Sequence, residues 1–525
     1  MTVRLHRRGF VTGAAGLSAA FWLRHDARAA SAMGFDEARQ LLSRTAFGAT
    51  PAEIRALETQ DYESAVDRLI ANVRPQAATP APGWIDLGPA EVRRQQQAAE
   101  GEARAKPGVD GKPLQIARPV QEQGRELRNW WVEEMLVTDQ PLVERMVLFW
   151  HNHFTSSMLK VRYAPALFRQ NALFRREALG NFATLLKEVA RDPAMLIYLD
   201  GMRSVARQPN ENFARELLEL FTLGEGRYGE ADIKAAARAF TGWSVDRETG
   251  RFIDRAGQHD DSEKTFLGQT GRLGGEEIIA ILLKHPRTAE TIVEKMWREF
   301  VSLTPDPVAV KRLAASFRDG GYEIKPLVRA LLTSQAFRDP ANRGGLIKSP
   351  VELIVGTVHV LGLPVPETTQ LVRMMQGLGQ LPFDPPNVKG WPGGESWITT
   401  YTLLLRQQYL RRIVEATTVA SMEGGMAMAP GPNRRADRRQ QMPSDEATMQ
   451  MSESGQMREP ARPVEGRSLR NAGGEAHLGA TLKGADSATL IRTLLPRQPI
   501  DPVDTSGAPG AVVAAAMLDP AYQLK

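Results

Sequence analysis

A chain of 525 residues is long enough for one large core or two to three ordinary ones, and 42% hydrophobic with 24% charged residues is the balance of a folded soluble protein. There is no cysteine, which excludes disulfides, thiolate metal sites, iron–sulfur clusters and cysteine nucleophiles. Most of the net charge of +5 sits at the front: without Arg4, Arg7, Arg8, Arg24, Arg28 and Asp26, 61 basic residues face 60 acidic ones, a poor footprint for nucleic-acid binding.

The first 29 residues run in an ordered succession. Arg7 and Arg8 precede Gly9 and Phe10, and the weakly apolar VTGAAGLSAAFWL (11–23) comes next, too short to span a bilayer comfortably. Ala27-Arg28-Ala29 then fits a small-residue cleavage site. The segment resembles a twin-arginine (Tat) signal peptide. It implies export in the folded state through the Tat translocase to a periplasmic or other extracytoplasmic location, with no transmembrane anchor left after cleavage.

Helical periodicity dominates from residue 35 onward. FDEARQLLSRTAF (35–47) places Ala38, Leu41, Leu42 and Thr45 on one face. Thr50, Pro51 and Glu53 have the N-cap, N1 and N3 chemistry of a helix start. DYESAVDRLIANV (61–73) repeats the spacing with Ala65, Leu69 and Val73. Residues 75–125 turn Pro-rich and polar and read as an exposed insertion. Helices resume over 126–139, 141–154 and 171–192. β-branched alternation is scarce, so the expected fold is all-α: a single multi-helix body over 30–420 with little or no β-sheet. Residues 421–475 have no period and read as disordered. Residues 476–525 turn helical again and are expected to pack back on the body.

Four stretches carry candidate chemistry. In FWHNHF (149–154) two of the eight histidines, His151 and His153, stand two positions apart. On a helix such residues diverge by about 200°, so they do not form a default chelating pair. His151 lies seven residues after Glu144 and shares its face; His153, at the helix end, is expected to look toward residues 210–222. In that second stretch, PNENFARELLELFTLG (209–224), Phe213, Leu217, Leu220 and Phe221 form an apolar stripe. Asn210, Glu211, Asn212, Arg215, Glu216 and Glu219 fall on polar lines, either as metal-binding carboxylates or as surface ion pairs. GQHDDSEKTFLG (257–268) is a polar loop with His259, Asp260 and Lys264. FDPPNVKGWPGGESW (383–397) is a Pro/Gly-fixed loop whose Lys389, Trp391 and Trp397 could wall a ligand cleft or cap the core. His151, His153, Glu216 and His259 are the candidate ligands of a divalent metal ion. Seven methionines between 422 and 457, with Met426-Ala427-Met428 and Met449-Gln450-Met451, raise a copper site as a minor alternative to a functionless tract.

Long ordered motifs add a resemblance. LLSRTAFGATPAEI (41–54), ERMVLFWHNHFTSS (144–157), NENFARELLELFTLGEGRYGEADIKAAARAFTGW (210–243), HDDSEKTFLG (259–268) and LPFDPPNVKGWPGGESWI (381–398) run as they do in the bacterial family of domain of unknown function 1800. Gly229 stands where that family usually has Thr or Ser, and the 421–475 tract lies outside its pattern. The resemblance implies an exported protein without an agreed activity. It also implies a co-exported partner of the domain of unknown function 1501 family, which looks related to phosphatases and sulfatases. Three roles are expected on these grounds: a protein that binds or assists that partner, a metal-dependent hydrolase with a His/Glu site between helices, and an envelope interaction protein with a flexible Met/Arg arm.

Overall fold

The computed structural model describes residues 32–71, 73–105, 119–423, 481–482 and 484–525. The signal-like segment with Arg7, Arg8, Phe10, Ala27 and Ala29, and the Met/Arg tract beyond residue 423, lie outside the described residues.

The fold is all-α apart from two small hairpins. In chain order the helices are α1 (Phe35–Thr45), α2 (Pro51–Glu58), α3 (Tyr62–Ala71), α4 (Pro89–Ala105), α5 (Pro119–Val137), α6 (Pro141–His153), α7 (Met158–Val161), α8 (Ala164–Arg176), α9 (Phe182–Ala190) and α10 (Pro193–Tyr198). After them α11 (Glu211–Glu216) continues as a π-helical turn over Leu217–Thr222, and α12 spans Glu230–Ala239. The second half holds α13 (Gly275–Lys284), α14 (Pro286–Phe300), α15 (Pro307–Asp319), α16 (Ile324–Leu332), α17 (Gln335–Arg338), α18 (Pro350–Val360), α19 (Thr368–Gly377) and α20 (Thr400–Glu423). Two further helices, Ser487–Leu494 and Pro509–Leu518, close the chain.

The starts of these helices arise from local chemistry. Thr50 and Glu53 form a reciprocal capping box, with Glu53 accepting the Thr50 amide at 2.7 Å. Asn181, Asp192, Asp306 and Ser349 each bond an amide of the turn they precede, and Pro occupies the first turn after the last three. Gly229 supplies only backbone to its cap; Asp232 accepts its amide at 2.9 Å.

The hairpins are β1 (Trp243–Val245) with β2 (Phe252–Asp254) and β3 (Lys264–Phe266) with β4 (Gln269–Gly271), both antiparallel. The second turns through Leu267 and Gly268, both at positive φ. The Leu267 amide is held there by Asp232 at 2.8 Å, which offsets the strain of a left-handed leucine.

The stretch 75–125, read from the sequence as a polar insertion, contains α4. That helix is mostly exposed, and it packs on α5 with Val92 buried. One apolar core runs through the body, with α5, α6, α8 and α18 packed around its middle. Phe154, Phe174, Phe182 and Phe221 gather at the C-terminal end of α6, with Phe154 5.1 Å from Phe221 in an edge-on pair. The chain's last residues return to the body. The Lys525 amide bonds the Leu346 carbonyl at 2.8 Å, and Gln523 accepts the Lys348 amide at 2.8 Å. No helix of the described residues is long and apolar enough to cross a membrane.

Candidate functional site

The site is built around the end of α6. This helix is buried almost throughout, including the charged Glu144 and Arg145. Charges in such a place must be paired. The Arg175 guanidinium forks onto Glu144 at 2.7 and 2.9 Å, and the Trp131 indole N–H donates to the same carboxylate at 2.9 Å. Arg145 pairs with Glu352 and Glu299, and Lys525 Nζ reaches Glu352 as well. Burial presses the Glu299 carboxyl upward, but Lys525, Arg145 and Arg44 outweigh it and hold the group below its ordinary value.

His151, Asn152 and His153 leave the end of α6 in three directions. His151 turns inward, its ring 4.5 Å from Trp131 and 4.7 Å from Phe174. Arg175 donates to Asn171 Oδ1 at 2.7 Å, so the Asn171 amide group faces His151 Nε2 at 3.1 Å and must donate to it. The ring is therefore neutral with its proton on Nδ1. Burial, with the Arg175 charge, pushes its pKa down to about 3.

His153 faces the π turn of α11, 6.0 Å from the Phe221 ring. Lys295 of α14 donates to its Nδ1 at 2.9 Å and to the Leu220 carbonyl at 2.9 Å. That carbonyl belongs to the last turn of its helix, where a cation is favoured. An ammonium has no acceptor, so Nδ1 accepts and the ring proton sits on Nε2. Nε2 makes no well-formed hydrogen bond among the described residues, and the Phe221 carbonyl is the acceptor that bears on the ring. Burial lowers the His153 pKa well below 6.5, Lys295 lowers it further, and the nearby Phe221 carbonyl opposes only in part. Burial also brings Lys295 down to about 8.

Asn152 turns outward and clasps the 383–397 loop. Its Oδ1 accepts the Trp391 amide at 2.7 Å and its Nδ2 donates to the Trp391 carbonyl at 3.4 Å. The residues after α6 hold the rest of that loop. The Thr155 hydroxyl donates to the Val388 carbonyl at 2.6 Å, the Ser157 hydroxyl to Asp384 at 2.8 Å, and the Met158 amide to the Phe383 carbonyl at 2.8 Å. Arg128 of α5 pairs with Asp384. Gly390 lies at φ 86°, and a Cβ there would meet both Asn152 Oδ1 and, at 2.6 Å, the Asn152 carbonyl. No side chain fits that approach.

Beneath the loop lies a cleft of about 350 Å³. Phe149, Trp391 and Trp397 supply its apolar wall, and Lys389 stands at the rim, 3.8 Å from Glu219. Its polar wall carries the basic side chains Arg145, Lys295, Arg298, Lys389 and Lys525 with the carboxylates Glu299 and Glu352; Glu294 pairs Arg298 at 3.9 Å, and burial lowers the Lys525 pKa well below its ordinary value. Of the residues singled out in the sequence, His153, Lys389, Trp391 and Trp397 meet here.

The others are placed elsewhere. Asn210 caps α11 by accepting the Asn212 amide at 2.8 Å, and Asn212 Nδ2 donates to the Leu199 carbonyl at 3.3 Å. Glu211 and Arg215 pair along the half-exposed helix surface, and Arg215 continues to Glu230 at 2.9 Å. Glu216 is partly buried, which raises its pKa, and the Glu219 charge adds to the rise. Glu219 accepts from the Tyr228 hydroxyl at 3.0 Å. His259 Nδ1 meets the Thr241 carbonyl at 2.9 Å, Asp260 pairs with Arg238 at 2.7 Å, and Lys264 Nζ donates to the Asp260 and Ser262 carbonyls. These three tie a loop to α12 and take no part in the cleft.

His151, His153, Glu216 and His259 are thus not brought together. Among the described residues no group of three His, Asp or Glu side chains is placed to hold a metal ion. Neither histidine of FWHNHF hydrogen-bonds a hydroxyl or a carboxylate among the described residues, so neither is set up as a general base for one. The copper alternative falls on the tract outside the described residues.

Sequence reasoning missed Asn152, Arg145, Lys295, Arg298, Glu299, Glu352 and Lys525. Two signals pointed their way. Arg145 is one of only two charges inside the apolar run of α6, and Lys295 and Glu299 stand four apart on one face of α14.

A family model described as Protein of unknown function (DUF1800) matches residues 40–524. The chain belongs to this family. The matched span takes in α6, α14, α18 and the 383–397 loop, so the cleft lies inside it except for Lys525, the residue after its end. Comparison with curated proteins and with solved structures returns no match.

Proposed function

We propose that this family member is an exported, non-catalytic binding protein that engages or assists a co-exported partner of the domain of unknown function 1501 family through the cleft under the 383–397 loop. One observation carries the reading: the cleft is walled by two tryptophans on a loop clasped by Asn152, Thr155 and Ser157, so its shape is set before anything enters it. Indoles on a preformed frame with cations around them suit recognition. His153, the histidine that lines it, is neutral and bonded to Lys295 rather than to a nucleophile. The twin-arginine-like front supports a shared folded export.

The test is direct mixing. Purified chain and purified partner are run together by size-exclusion chromatography and titrated by calorimetry, with Trp397→Ala as the cleft variant. A co-eluting complex that the variant weakens at least tenfold supports the reading. Failure of the two proteins to associate, separately or when co-expressed with intact signals, would discard it.

A further inference from the structure

A cavity of about 310 Å³ opens between α4, the short 3-10 turn Gly201–Arg203 and the β1–β2 hairpin. It is lined by Arg93, Met202, Arg203, Ser244, Arg247 and Arg255. Four of these six side chains are guanidinium groups and none is acidic. Among the described residues none of the four forms an ion pair, whereas Arg94 and Arg238, on neighbouring stretches of chain, pair with Glu91 and Asp260. The carboxylates closest in sequence are committed elsewhere. Asp246 Oδ1 accepts the Glu248 and Thr249 amides at 3.1 and 2.7 Å and the Thr249 hydroxyl at 2.8 Å, and Arg255 acts on that carboxyl less than these bonds do. Asp200, at the start of the 3-10 turn, pairs with Lys160 at 2.8 Å.

The backbone that carries the arginines is fixed from several sides. The Ser244 hydroxyl donates to the Met202 carbonyl at 2.9 Å, the Gly242 amide to the Ser204 carbonyl at 3.0 Å, and the Arg255 amide to the Gly242 carbonyl at 2.9 Å. Arg93 Nη2 donates to the Arg247 carbonyl at 3.3 Å, which holds α4 against the hairpin tip. Arg169 of α8 donates to the Gly250 carbonyl of the same tip at 3.1 Å. Gly88, just before α4, lies so close to the Glu248 carbonyl that a Cβ would collide with it. Bonds within the protein therefore set the shape of the pocket, and no ligand is needed to assemble it.

The wall offers a ligand little apolar surface. Met202 is half-buried, and the Ser244 hydroxyl is already donated. Recognition here rests on charge and on guanidinium forks, which meet phosphate oxygens two at a time. A concave wall of one sign also concentrates its field on an incoming anion. A lone carboxylate has too few oxygens for four forks, whereas a pair of linked phosphates has enough.

We propose that this pocket binds a ligand with two adjacent phosphate groups, a free diphosphate or a doubly phosphorylated lipid headgroup, forked by Arg203, Arg247 and Arg255 with Arg93 closing the α4 side. The pocket shares no residue with the cleft under the 383–397 loop, and the proposal does not depend on what that cleft binds.

The experiment is isothermal titration calorimetry of the full chain with inorganic pyrophosphate and with orthophosphate, on wild type, Arg203→Gln, Arg203→Lys and Arg312→Gln. Arg203 is exposed, so its substitution spares the core, and the exposed Arg312 of α15 gives the same change of net charge away from the pocket. Pyrophosphate is expected to bind one to one and more tightly than orthophosphate. Arg203→Gln is expected to weaken it about tenfold, the loss of a charged hydrogen bond. Arg203→Lys keeps the charge without the fork and is expected to bind more weakly than wild type, while Arg312→Gln binds as wild type does. Sedimentation with phosphatidylcholine vesicles carrying cardiolipin separates the sources: vesicle binding lost in Arg203→Gln supports the headgroup, and pyrophosphate binding without vesicle binding supports the free diphosphate. Three results overturn the proposal: no saturable heat with pyrophosphate together with no vesicle binding, equal affinity for the two phosphates, or an equal loss in Arg312→Gln and Arg203→Gln, which would mark diffuse attraction to a charged surface.

Discussion

Gly390→Ala is the sharpest test of the clasp between α6 and the 383–397 loop. The residue sits at φ 86°, and its missing Cβ is what lets the loop backbone lie against Asn152. A left-handed conformation costs an L-residue about 1–2 kcal/mol. The new methyl also meets the Asn152 carbonyl at 2.6 Å, and that carbonyl belongs to the rigid end of α6. The loop must therefore give way, and with it the two Asn152–Trp391 hydrogen bonds, each worth about 0.5–1.5 kcal/mol. The sum is about 2–5 kcal/mol, felt first at the loop. Asn152→Ala removes the bonds without the clash and should cost only about 1–3 kcal/mol by the same figures. Urea denaturation measures the global loss, and amide hydrogen exchange over residues 383–397 measures the local one. Wild-type stability together with wild-type protection in Gly390→Ala would refute the account of the clasp.

Two further outcomes concern buried ionisation. His151 has a folded pKa near 3 against an ordinary 6.5. A lowered folded pKa means stability that is present above pH 6.5 and drains as pH falls toward 3, at up to about 1.4 kcal/mol per pH unit for this group. His151→Phe, in its cage of Trp131, Phe174 and Phe383, should flatten the acid limb between pH 6 and pH 4 by about one proton. An unchanged slope in urea melts across that range would count against it. Arg175→Met leaves Glu144 buried without its fork and should cost about 3–5 kcal/mol. A loss under about 1 kcal/mol in denaturant titration would show that Trp131 alone satisfies the carboxylate.

The helical body was legible because its signals are local. Thr50, Pro51 and Glu53 announce a helix start by chemistry that operates within four residues, and the structure contains that capping box. α4 was not read as a helix because its face is polar and it buries little beyond Val92. The hairpins escaped because three-residue strands such as Lys264–Phe266 are too short to show alternation. The site was legible only from one side. Lys389, Trp391 and Trp397 stand out on an irregular loop, whereas Lys295 meets His153 from 142 positions away and Lys525 meets Glu352 from 173. No periodicity encodes such meetings; they are produced by the packing of α6, α14 and α18 in three dimensions. The same limit explains why His259, Asp260 and Lys264 looked like partners of His151. They share a polar character, but the Thr241 turn and Arg238 satisfy them locally.

The spacing of FWHNHF is explained by where it falls. Successive residues on a helix point about 100° apart, so three in a row at a helix end can serve three different neighbours. His151 takes the core and completes a chain of bonds from Glu144 through Arg175 and Asn171. Asn152 takes the loop, and His153 takes the cleft. A chelating pair would need the two rings to converge, and an interposed residue on a helix forces them apart. The motif is better understood as a joint: its last member meets Lys295 beside the cleft, its middle member fixes the cleft's roof, and its first member anchors both to a buried ion network. Shifting any one of the three changes the position of the other two, because they share a single turn of backbone. That coupling predicts non-additivity. Asn152→Ala and His153→Phe together should change stability in urea melts by an amount different from the sum of the singles, by about 0.5–3 kcal/mol, as residues in one network do. Additive behaviour within a few tenths of a kcal/mol would mean that the roof and the His153 ring act independently.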